Sequence, residues 1–391
     1  MKNVRKQVPS LLLIIVLVGF PQISESIFTP ALPALSSALQ VTAQTGQLTM
    51  CSYFIAFALG VLFWGSYSDR VGRRPAMLAG LIVYLAGNIG LLCAPNFAIL
   101  ILFRLVQSFG ASVGSVVTQS IMRESFAGTT GAKVFAKVGA ALALSPAMGP
   151  LLGGVTQTYF GYRNVFSVLI VMAVSLYLYT LRRLPETNIQ LSNVTRQPAF
   201  KPIVMRLLTD PNVWVYGLLI SGINGILFSF YAEAPFIFME HFHLSSIQYG
   251  VLGVVVALSS IFGSITINHL VAKISAIQIT KWGLILAMFG AFLLVGASWI
   301  GNIYLFILCI FIVFFGLYIT LPMALNLALV GYEDVIGVAS GIFSFGYYIC
   351  ISFFTYLISA FHTGWIGILP LYILAITVVM LLSYELRFKN K

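Results

Sequence analysis

Three charged side chains, Glu25, Arg104 and Glu233, lie inside long apolar runs of the sequence. A charged group in the middle of a bilayer costs on the order of 2.5–3.5 kcal/mol on insertion scales, so such a residue has a functional role by default. Burial favours the protonated form of a carboxylate, whereas a neighbouring arginine favours the ionised form. We therefore expect these three residues to be proton-coupling groups. For Glu233 an alternative stays open, namely a rim residue in contact with water.

The residues around Glu25 form a polar stripe on an otherwise apolar segment. Gln22, Ser26 and Thr29 are three residues before, one after and four after Glu25, a spacing that brings side chains to one face of a helix. Such a face is expected to line a water-filled cavity or to pack against another polar helix. Glu25 and Arg104 lie at similar depths, roughly 10–12 Å below one membrane surface at 1.5 Å per residue. A pairing between them is therefore geometrically allowed in one conformation.

The overall composition indicates the kind of protein that holds these groups. Of the 391 residues, 60% are hydrophobic and 8% are charged, and the mean hydropathy is +1.00. A soluble protein has about 25% charged residues, so the composition excludes a soluble protein and indicates one embedded in lipid. The four cysteines lie in apolar runs without metal-ligand spacing, and no metal or cofactor is expected. The sequence contains no nucleotide-phosphate loop, zinc pattern or nucleophile elbow, so no enzyme activity is expected.

Apolar runs long enough to cross a bilayer, about 20 residues each, recur along the whole chain. We predict twelve spans, at 9–33, 47–66, 76–94, 97–121, 134–156, 164–183, 212–238, 247–270, 281–299, 302–325, 337–360 and 364–384. The predicted fold class is an all-α membrane protein with twelve transmembrane helices in two pseudo-symmetric six-helix halves. The halves are predicted at 1–184 and 212–391, with a cytoplasmic central loop at 185–211. Residues 200–208 are expected to form either a short helix at the membrane surface or a plain connector.

The basic residues indicate an orientation. If both termini are cytoplasmic, all but two of the 21 lysines and arginines fall on the cytoplasmic side or at its boundary, as the positive-inside rule requires. This asymmetry supports twelve spans and accounts for the net charge of +11 without nucleic acid as a partner. We expect a multi-pass monomer in the bacterial cytoplasmic (inner) membrane. The first apolar run is expected to be an uncleaved span and not a secretory signal.

Two motifs of the first half combine glycines with charges or a proline. The loop GSYSDRVGRRP between spans 2 and 3 contains Gly65, Asp69, Arg70, Gly72, Arg73 and Arg74. The stretch SPAMGPLLGG in span 5 contains Ser145, Gly149, Pro150, Gly153 and Gly154. Glycines on one helix face allow a neighbouring backbone to approach closely, and a proline kinks the helix. We therefore expect span 5 to pack tightly against another helix and to act as a seal or pivot.

These motifs resemble those of the major facilitator superfamily of secondary transporters. The loop from Gly65 to Pro75 closely resembles the signature loop of that family, and SPAMGPLLGG resembles its antiporter-associated motif, with Ser145 in place of the first glycine. The stretch RLVQSFGASVGS, which begins at Arg104, resembles the fourth-span motif, with Ser108 in place of the glycine after Gln107. The resemblance implies alternating access. It also implies that Asp69 and its arginines meet the acidic connection 331–335 when the cytoplasmic gate shuts.

Within the superfamily, two further stretches resemble the bicyclomycin/chloramphenicol-resistance branch of drug–proton antiporters. In the first span this branch has the pattern Asp-x-Tyr-x-Pro-Ala-Leu-Pro, and the stretch ISESIFTPALP matches its ending at Pro30 to Pro33. Ser26 occupies the acidic position, and Glu25 lies one residue earlier. The stretch YAEAPFIF in span 7 resembles the corresponding aromatic-small-Pro-Phe pattern.

The resemblance implies proton-coupled efflux, by antiport, of small lipophilic or cationic compounds, driven by the proton gradient. The substrate cavity is expected to be lined by Gln22, Ser26, Thr29, Gln107, Ser108, Asn224, Phe228, Tyr231, Tyr318 and Tyr347. Aromatic side chains beside an acid favour such cargo through stacking and cation–π contact. Two alternatives stay open: a proton-coupled importer of a nutrient, and a dedicated exporter of a metabolite such as a siderophore. A membrane-embedded enzyme or a channel is disfavoured, because the sequence contains no catalytic constellation and no repeated pore loop.

Overall fold

The computed structural model describes residues 8–126, 128–188 and 200–388. Every regular element within these residues is helical, and twelve spans are long and apolar enough to cross a membrane. Spans 1 to 12 are Leu11–Ala38, Ala43–Val71, Arg73–Cys93, Phe97–Ser125, Lys137–Phe160, Asn164–Arg183, Pro211–His241, Ser246–Leu270, Ala276–Ile300, Ile303–Leu327, Glu333–Phe361 and Ile368–Phe388. The predicted all-α fold with twelve spans is confirmed.

Span 1 is broken in its middle. An α-helix runs over Leu11–Ser26, a 3-10 turn follows at Thr29–Ala31, and a second helix covers Leu32–Ala38. Proline lacks the backbone N–H that would continue the hydrogen-bond ladder, and the sequence supplies prolines at 30 and 33. The break leaves Glu25 in the last turn of the first segment.

Three other spans contain irregular turns. Span 5 includes the helix Ser145–Phe160, preceded by the helix Gly128–Leu142. Span 7 is an α-helix over Pro211–Pro235 that continues as a short π-helical turn over Phe236–His241. Span 11 begins with the 3-10 turn Glu333–Val335 and continues as the helix Ile336–Phe361.

The central segment contains a helix at Phe200–Thr209, which we call the linker helix. A helix is therefore present and a plain connector is wrong for these residues, whereas its position at the membrane surface stays a prediction. Ile203 and Leu207 of the linker helix are buried in an apolar cluster with Tyr332 and Ala339. The linker helix thus packs against the connection between spans 10 and 11.

The loops define two sides of the bundle. We call the side with the signature loop (Gly65–Pro75) and the linker helix the linker side, and the other side the opposite side. The two sets of six spans meet mainly where span 2 packs on span 11 and span 5 packs on span 8. Six of the basic residues used to predict the orientation lie outside the described residues: Lys2, Arg5, Lys6, Arg196, Lys389 and Lys391.

Candidate functional site

A cavity of about 380 Å³ opens between the two sets of six spans on the linker side. Its polar wall residues on spans 2, 4 and 11 are Ser66, Ser115, Gln119, Ser120, Ser340 and Ser344, and Asp69, Arg73 and Arg123 also line it. Gly337 and Gly341 of span 11 have open space where a side chain would project. A volume of this order is in the range of small-molecule sites.

An aromatic layer closes the inner end of this cavity. Tyr347 and Tyr348 of span 11 line the cavity, with their ring centroids 4.5 Å apart. The ring of Tyr348 lies 4.8 Å from that of Phe57 on span 2. Phe54, one turn away, lies 4.3 Å from Phe228 on span 7. The layer therefore joins both sets of six spans and separates the cavity from the opposite side.

On the opposite side, spans 2 and 11 are joined by hydrogen bonds. The Ser352 hydroxyl donates to the backbone oxygen of Cys51 at 2.7 Å. Closer to the surface, the Gln44 side chain donates to the backbone oxygen of His362 at 2.9 Å. The two spans are therefore in contact on the opposite side and separated by the cavity on the linker side.

Spans 5 and 8 also approach closely, through glycines. A side chain at Gly250 would collide with the backbone oxygen of Pro150, and one at Gly154 would collide with the backbone oxygen of Ser246. On another face of span 5, a side chain at Gly153 would collide with the backbone oxygen of Ile27 in span 1. The antiporter-type motif thus contacts span 1 on one face and span 8 on another, next to the break that follows Glu25.

The close contact at Gly153 leads to a stability prediction. We expect Gly153→Ala to destabilise the protein by about 1–3 kcal/mol, the usual cost of overpacking, because the obstacle is a backbone atom. The matched control is Gly139→Ala in the same span, where nothing lies within 4 Å of the added methyl group. Thermal unfolding of the purified variants measures the difference. Equal melting temperatures for the two variants would contradict the packing described here.

Glu25 is buried without a close partner. It is 6% exposed, and no described residue forms a hydrogen bond or an ion pair with its carboxylate. It interacts electrostatically with Arg104 and with the hydroxyls of Tyr231, Tyr347 and Tyr348. The last two tyrosines line the cavity, so Glu25 lies within electrostatic range of the cavity's aromatic end.

Arg104 is held by two rings and one amide. Its guanidinium lies between the rings of Phe28 and Tyr53, 4.1 and 4.4 Å from their centroids. One terminal nitrogen donates to Gln107 Oε1 at 2.5 Å and is 3.4 Å from the backbone oxygen of Ser24. The other, Nη2, is buried and has no hydrogen-bond partner. The ion pairs of the described residues do not include one between Arg104 and Glu25.

Several residues predicted to line the cavity are held within the first six spans in this conformation. Gln107 donates to Asn88 Oδ1 at 2.5 Å, and Ser108 donates to the backbone oxygen of Tyr53. The Ser26 hydroxyl donates to the backbone oxygen of Gln22, and the Thr29 hydroxyl donates to the backbone oxygen of Ser26, so both bonds stay within span 1.

The predicted cavity residues of the last six spans are distributed differently. Tyr347 lines the cavity, and Phe228 belongs to the aromatic layer. Asn224 donates to the backbone oxygen of Ile220 at 2.8 Å, Tyr231 donates to that of Pro146 at 3.2 Å, and Tyr318 packs against Gly263. The wall serines were missed by sequence reasoning. The recurrence of glycine and serine at 337, 340, 341 and 344 was the available signal.

The signature loop is held together by ion pairs and backbone contacts. Arg73 pairs with Asp69 at 2.6 Å and with Glu124 of span 4 at 2.7 Å. Glu186, which follows span 6, accepts hydrogen bonds from the backbone N–H groups of Arg73 and Arg74 at 2.8 and 3.0 Å. Gly72, directly before Arg73, has φ of 103°, a conformation that favours glycine. Glu124 and Glu186 were missed by sequence reasoning, since neither belongs to the loop motif.

The acidic connection of the second half lies away from this loop. Asp334 pairs with Arg206 of the linker helix at 3.1 Å, and Glu333 accepts from the backbone N–H of Gly331 at 3.0 Å. Asp69 and Gly337 line the same open cavity. The contact that the resemblance implies between Asp69 and residues 331–335 belongs to a closed conformation and stays a prediction.

Asp69 therefore supports a prediction about cycling. We expect Asp69→Asn to reduce transport strongly while leaving cargo binding in detergent unchanged, because Asp69 lies at the cavity mouth and the change weakens the pairing with Arg73. Lys273→Gln, which removes an exposed charge between spans 8 and 9, is the control. Binding assays and uptake into liposomes separate the two effects, and loss of binding would contradict this role.

Glu233 lies in a second polar cluster, on the opposite side. It is 1% exposed and lines a cavity on that side, and its two interpretations, a proton-coupling carboxylate and a rim residue in contact with water, both stay predictions. The Gln47 side chain donates to Glu233 Oε2 at 2.6 Å, and His362 Nδ1 is 2.8 Å from Oε1. The contact between His362 and Glu233 was missed by sequence reasoning, because a histidine next to a span end is an ordinary polar residue there.

Comparisons with known proteins agree with this architecture. The family model of the Major Facilitator Superfamily matches residues 14–355. An uncharacterized transporter of Rickettsia bellii (strain RML369-C) is 32% identical over 91% of this chain and 91% of its own length. A chloramphenicol resistance protein of Pseudomonas aeruginosa is 29% identical over 93% of this chain and 87% of its own length.

The fold also matches a solved transporter structure. A partially occluded inward-open structure of the xylose transporter XylE from E. coli superposes with a TM-score of 0.76 at 13% identity, covering 97% of this chain and 98% of that one. At this identity the match concerns the fold alone. The chain is a transporter and belongs to the major facilitator superfamily.

Proposed function

We propose that this transporter exports small lipophilic or cationic compounds in exchange for protons, by alternating access. The observation that carries the proposal is the arrangement of Glu25 and Arg104. A buried carboxylate without a hydrogen-bond partner lies near a buried guanidinium whose Nη2 is also without one. Glu25 lies within electrostatic range of the tyrosines at the aromatic end of a cavity that opens between the two sets of six spans.

Glu25 has the environment of a group that exchanges a proton. An ionised carboxylate buried without hydrogen bonds is costly, so protonation stabilises the arrangement described here. If the side chain moves to the free Nη2 of Arg104, the ionised form gains a charge-assisted hydrogen bond instead. The two positions of one carboxylate would thus differ in proton affinity, which is the requirement for coupling.

An exchange cycle follows from this difference. With the cavity open on the linker side, Glu25 releases its proton and cargo binds in the cavity against Tyr347 and Tyr348. The halves, residues 1–184 and 212–391, then rock about span 5 and span 8 and open the opposite side. Protonation of Glu25 from that side releases cargo and permits the return. The proton gradient is the energy source, and no cofactor takes part.

The cargo class is inferred from the walls of the cavity. Aromatic rings at its end and a carboxylate behind them favour flat lipophilic molecules and cations. The name of the Pseudomonas relative, a chloramphenicol resistance protein, supports a drug-like cargo. A nutrient importer or a dedicated metabolite exporter keeps the same fold and is distinguished by the direction and identity of the cargo.

We further propose that the linker side faces the cytoplasm of a bacterial cell and that the protein works as a monomer in the cytoplasmic membrane. Arg70, Arg74, Arg183 and Lys273 lie on the linker side, whereas Arg163 follows span 5 on the opposite side. An excess of basic residues in cytoplasmic loops is the general pattern.

Purified protein in liposomes that contain a pH-sensitive dye tests the proposal. A library of compounds that differ in charge and lipophilicity is added under an imposed proton gradient. We expect proton movement linked to one class of lipophilic or cationic compound, with opposite directions for cargo and proton. Movement of both in the same direction would indicate an importer and would overturn the proposal.

A further inference from the structure

The cluster of Gln47, Glu233 and His362 has no role in the cycle described above, although it joins the two sets of six spans. Gln47 lies in span 2, Glu233 in span 7, and His362 directly after span 11. Gln47 and Glu233 are 0% and 1% exposed. Opening the opposite side separates span 2 from spans 7 and 11, so these contacts must break once in each cycle.

Within the cluster the contacts are short and centre on the carboxylate. His362 Nδ1 lies 2.8 and 2.9 Å from the two oxygens of Glu233. Gln47 Nε2 donates to Oε2 of the same carboxylate at 2.6 Å. Gln44, one turn before Gln47, donates to the backbone oxygen of His362. Span 2 therefore holds both partners of the His–Glu pair.

A cavity of about 210 Å³ borders the pair on the opposite side of the membrane. Its lining residues are Glu233, Phe236, Ile237, Glu240, His241, His362, Gly364 and Ile366. Protons from that side therefore have a route to His362 that does not pass through the linker-side cavity. The aromatic layer of Phe54, Phe57, Phe228 and Tyr348 lies between the cluster and that cavity.

We propose that Glu233 and His362 form a regulatory proton-binding site, a latch that holds the opposite side closed when His362 is protonated. Its proton is not transported, because the site is exposed to one side only. The proposal goes beyond proton-coupled export. It needs only alternating access, and it rests on the proposed orientation for the statement that the acid acts from outside the cell.

The charges around His362 determine whether acid favours or disfavours the closed state. Glu233 accepts its hydrogen bond, and Glu240 adds a further attraction, whereas His241 is the other titratable group that lines the cavity. The hydrogen bond to Glu233 raises the pKa of His362 above its usual value, against the opposing effect of burial. No charged residue of span 2 faces the pair, since Gln44 and Gln47 are neutral.

Because the closed arrangement raises the pKa of His362, it binds the proton more tightly than an arrangement in which the imidazole is exposed to water. The latch is therefore complete below the ordinary histidine pKa of about 6.5. It weakens as the pH rises through the raised value of the closed state. With one linked proton, the ratio of closed to open molecules changes by at most about tenfold per pH unit.

Spin labels placed outside the cluster measure this ratio. We choose Ala98→Cys at the start of span 4 and Ile300→Cys at the end of span 9, both exposed and both on the opposite side. In a background without the four native cysteines, distance distributions are recorded in detergent, without cargo, from about pH 5.5 to 8.5, a range centred on histidine titration. Both faces then experience the same pH, and no transport is required.

The wild-type protein is expected to show a growing closed population as the pH falls across this range. His362→Gln and Glu233→Gln should each lower the pH dependence to the part that Glu25 contributes, and each should remove it when combined with Glu25→Gln. His241→Gln, which alters the other histidine of the same cavity, should keep the pH dependence of the wild type.

Three results would overturn the proposal. They are a wild-type distribution independent of pH, a His362→Gln variant with the wild-type slope at a lower closed population, and loss of the slope in His241→Gln. Failure of proton-coupled export would leave the part of the pH response that depends on His362 unchanged, so the two proposals fail separately. If His362→Gln does not fold, Glu233→Gln alone decides the question.

Discussion

In liposomes, Glu25→Gln should lower proton-driven transport to the level of protein-free vesicles at every pH. The amide has nearly the same size as the carboxyl group but cannot release a proton, so the side chain at position 25 would be permanently neutral. Exchange of labelled for unlabelled cargo across the membrane, which needs no net proton movement, should continue. The measurement is therefore a pair of assays on one preparation, driven uptake and cargo exchange.

Glu385→Gln is the matched control for this variant, since Glu385 pairs with Lys281 at 2.7 Å near the linker-side end of span 12. It removes a carboxylate of the same type and should retain driven transport. Glu25→Asp keeps an acid and should retain part of the coupling. Wild-type pH dependence in Glu25→Gln would mean that the transported proton binds elsewhere.

Cross-linking of spans 2 and 11 on the opposite side should abolish transport completely and reversibly. Gln44 and the neighbourhood of His362 are in hydrogen-bond contact, so cysteines at 44 and 363 lie within reach of a short bifunctional reagent. The link prevents the opposite side from opening while the linker-side cavity stays accessible. A reducible reagent allows transport to be restored in the same sample.

A second cysteine pair distinguishes this trap from general damage. Ser66 and Ser340 line opposite walls of the linker-side cavity, so Ser66→Cys with Ser340→Cys should cross-link only when that cavity shuts. Cargo should promote the second link relative to the first in the presence of a proton gradient. Full transport with the first link complete would contradict closure of the opposite side by spans 2 and 11.

The fold was predictable because the length of the apolar runs in the sequence determines it. Runs of apolar residues long enough to cross a bilayer specify spans without knowledge of their partners, and the twelve predicted runs overlap the twelve observed spans. The close packing of span 5 was equally visible, since Gly149, Pro150 and Gly153 lie within one short motif. Whether the central segment forms a helix could not be decided from the sequence, because an amphipathic stretch of ten residues has no strong preference for the helical state by itself.

The site was predictable only where charge inside an apolar run gave a signal. Glu25, Arg104 and Glu233 are all buried, as an intramembrane charge must be. Their partners were not predictable, since Gln47 and His362 are 315 positions apart in the chain and neither belongs to a local pattern. Glu124 and Glu186 were not predicted for the same reason.

The cavity walls depend on how the two sets of six spans are placed relative to each other, which no local pattern specifies. Gln107 and Ser108 have polar side chains at suitable depth, but in this conformation they bond within the first six spans. The serines of spans 2, 4 and 11 line the cavity instead. Hydrophobic periodicity identifies a polar face, whereas the neighbour that this face meets is set by tertiary packing.

The central claim is that cargo and a proton compete through Glu25, and proton release on binding tests it most directly. Purified protein in a weakly buffered detergent solution is titrated with a transported compound while a pH indicator is followed. We expect release of up to one proton per molecule bound in the wild type, and none in Glu25→Gln although the compound still binds. Binding without proton release in the wild type, or equal release in both proteins, would contradict it.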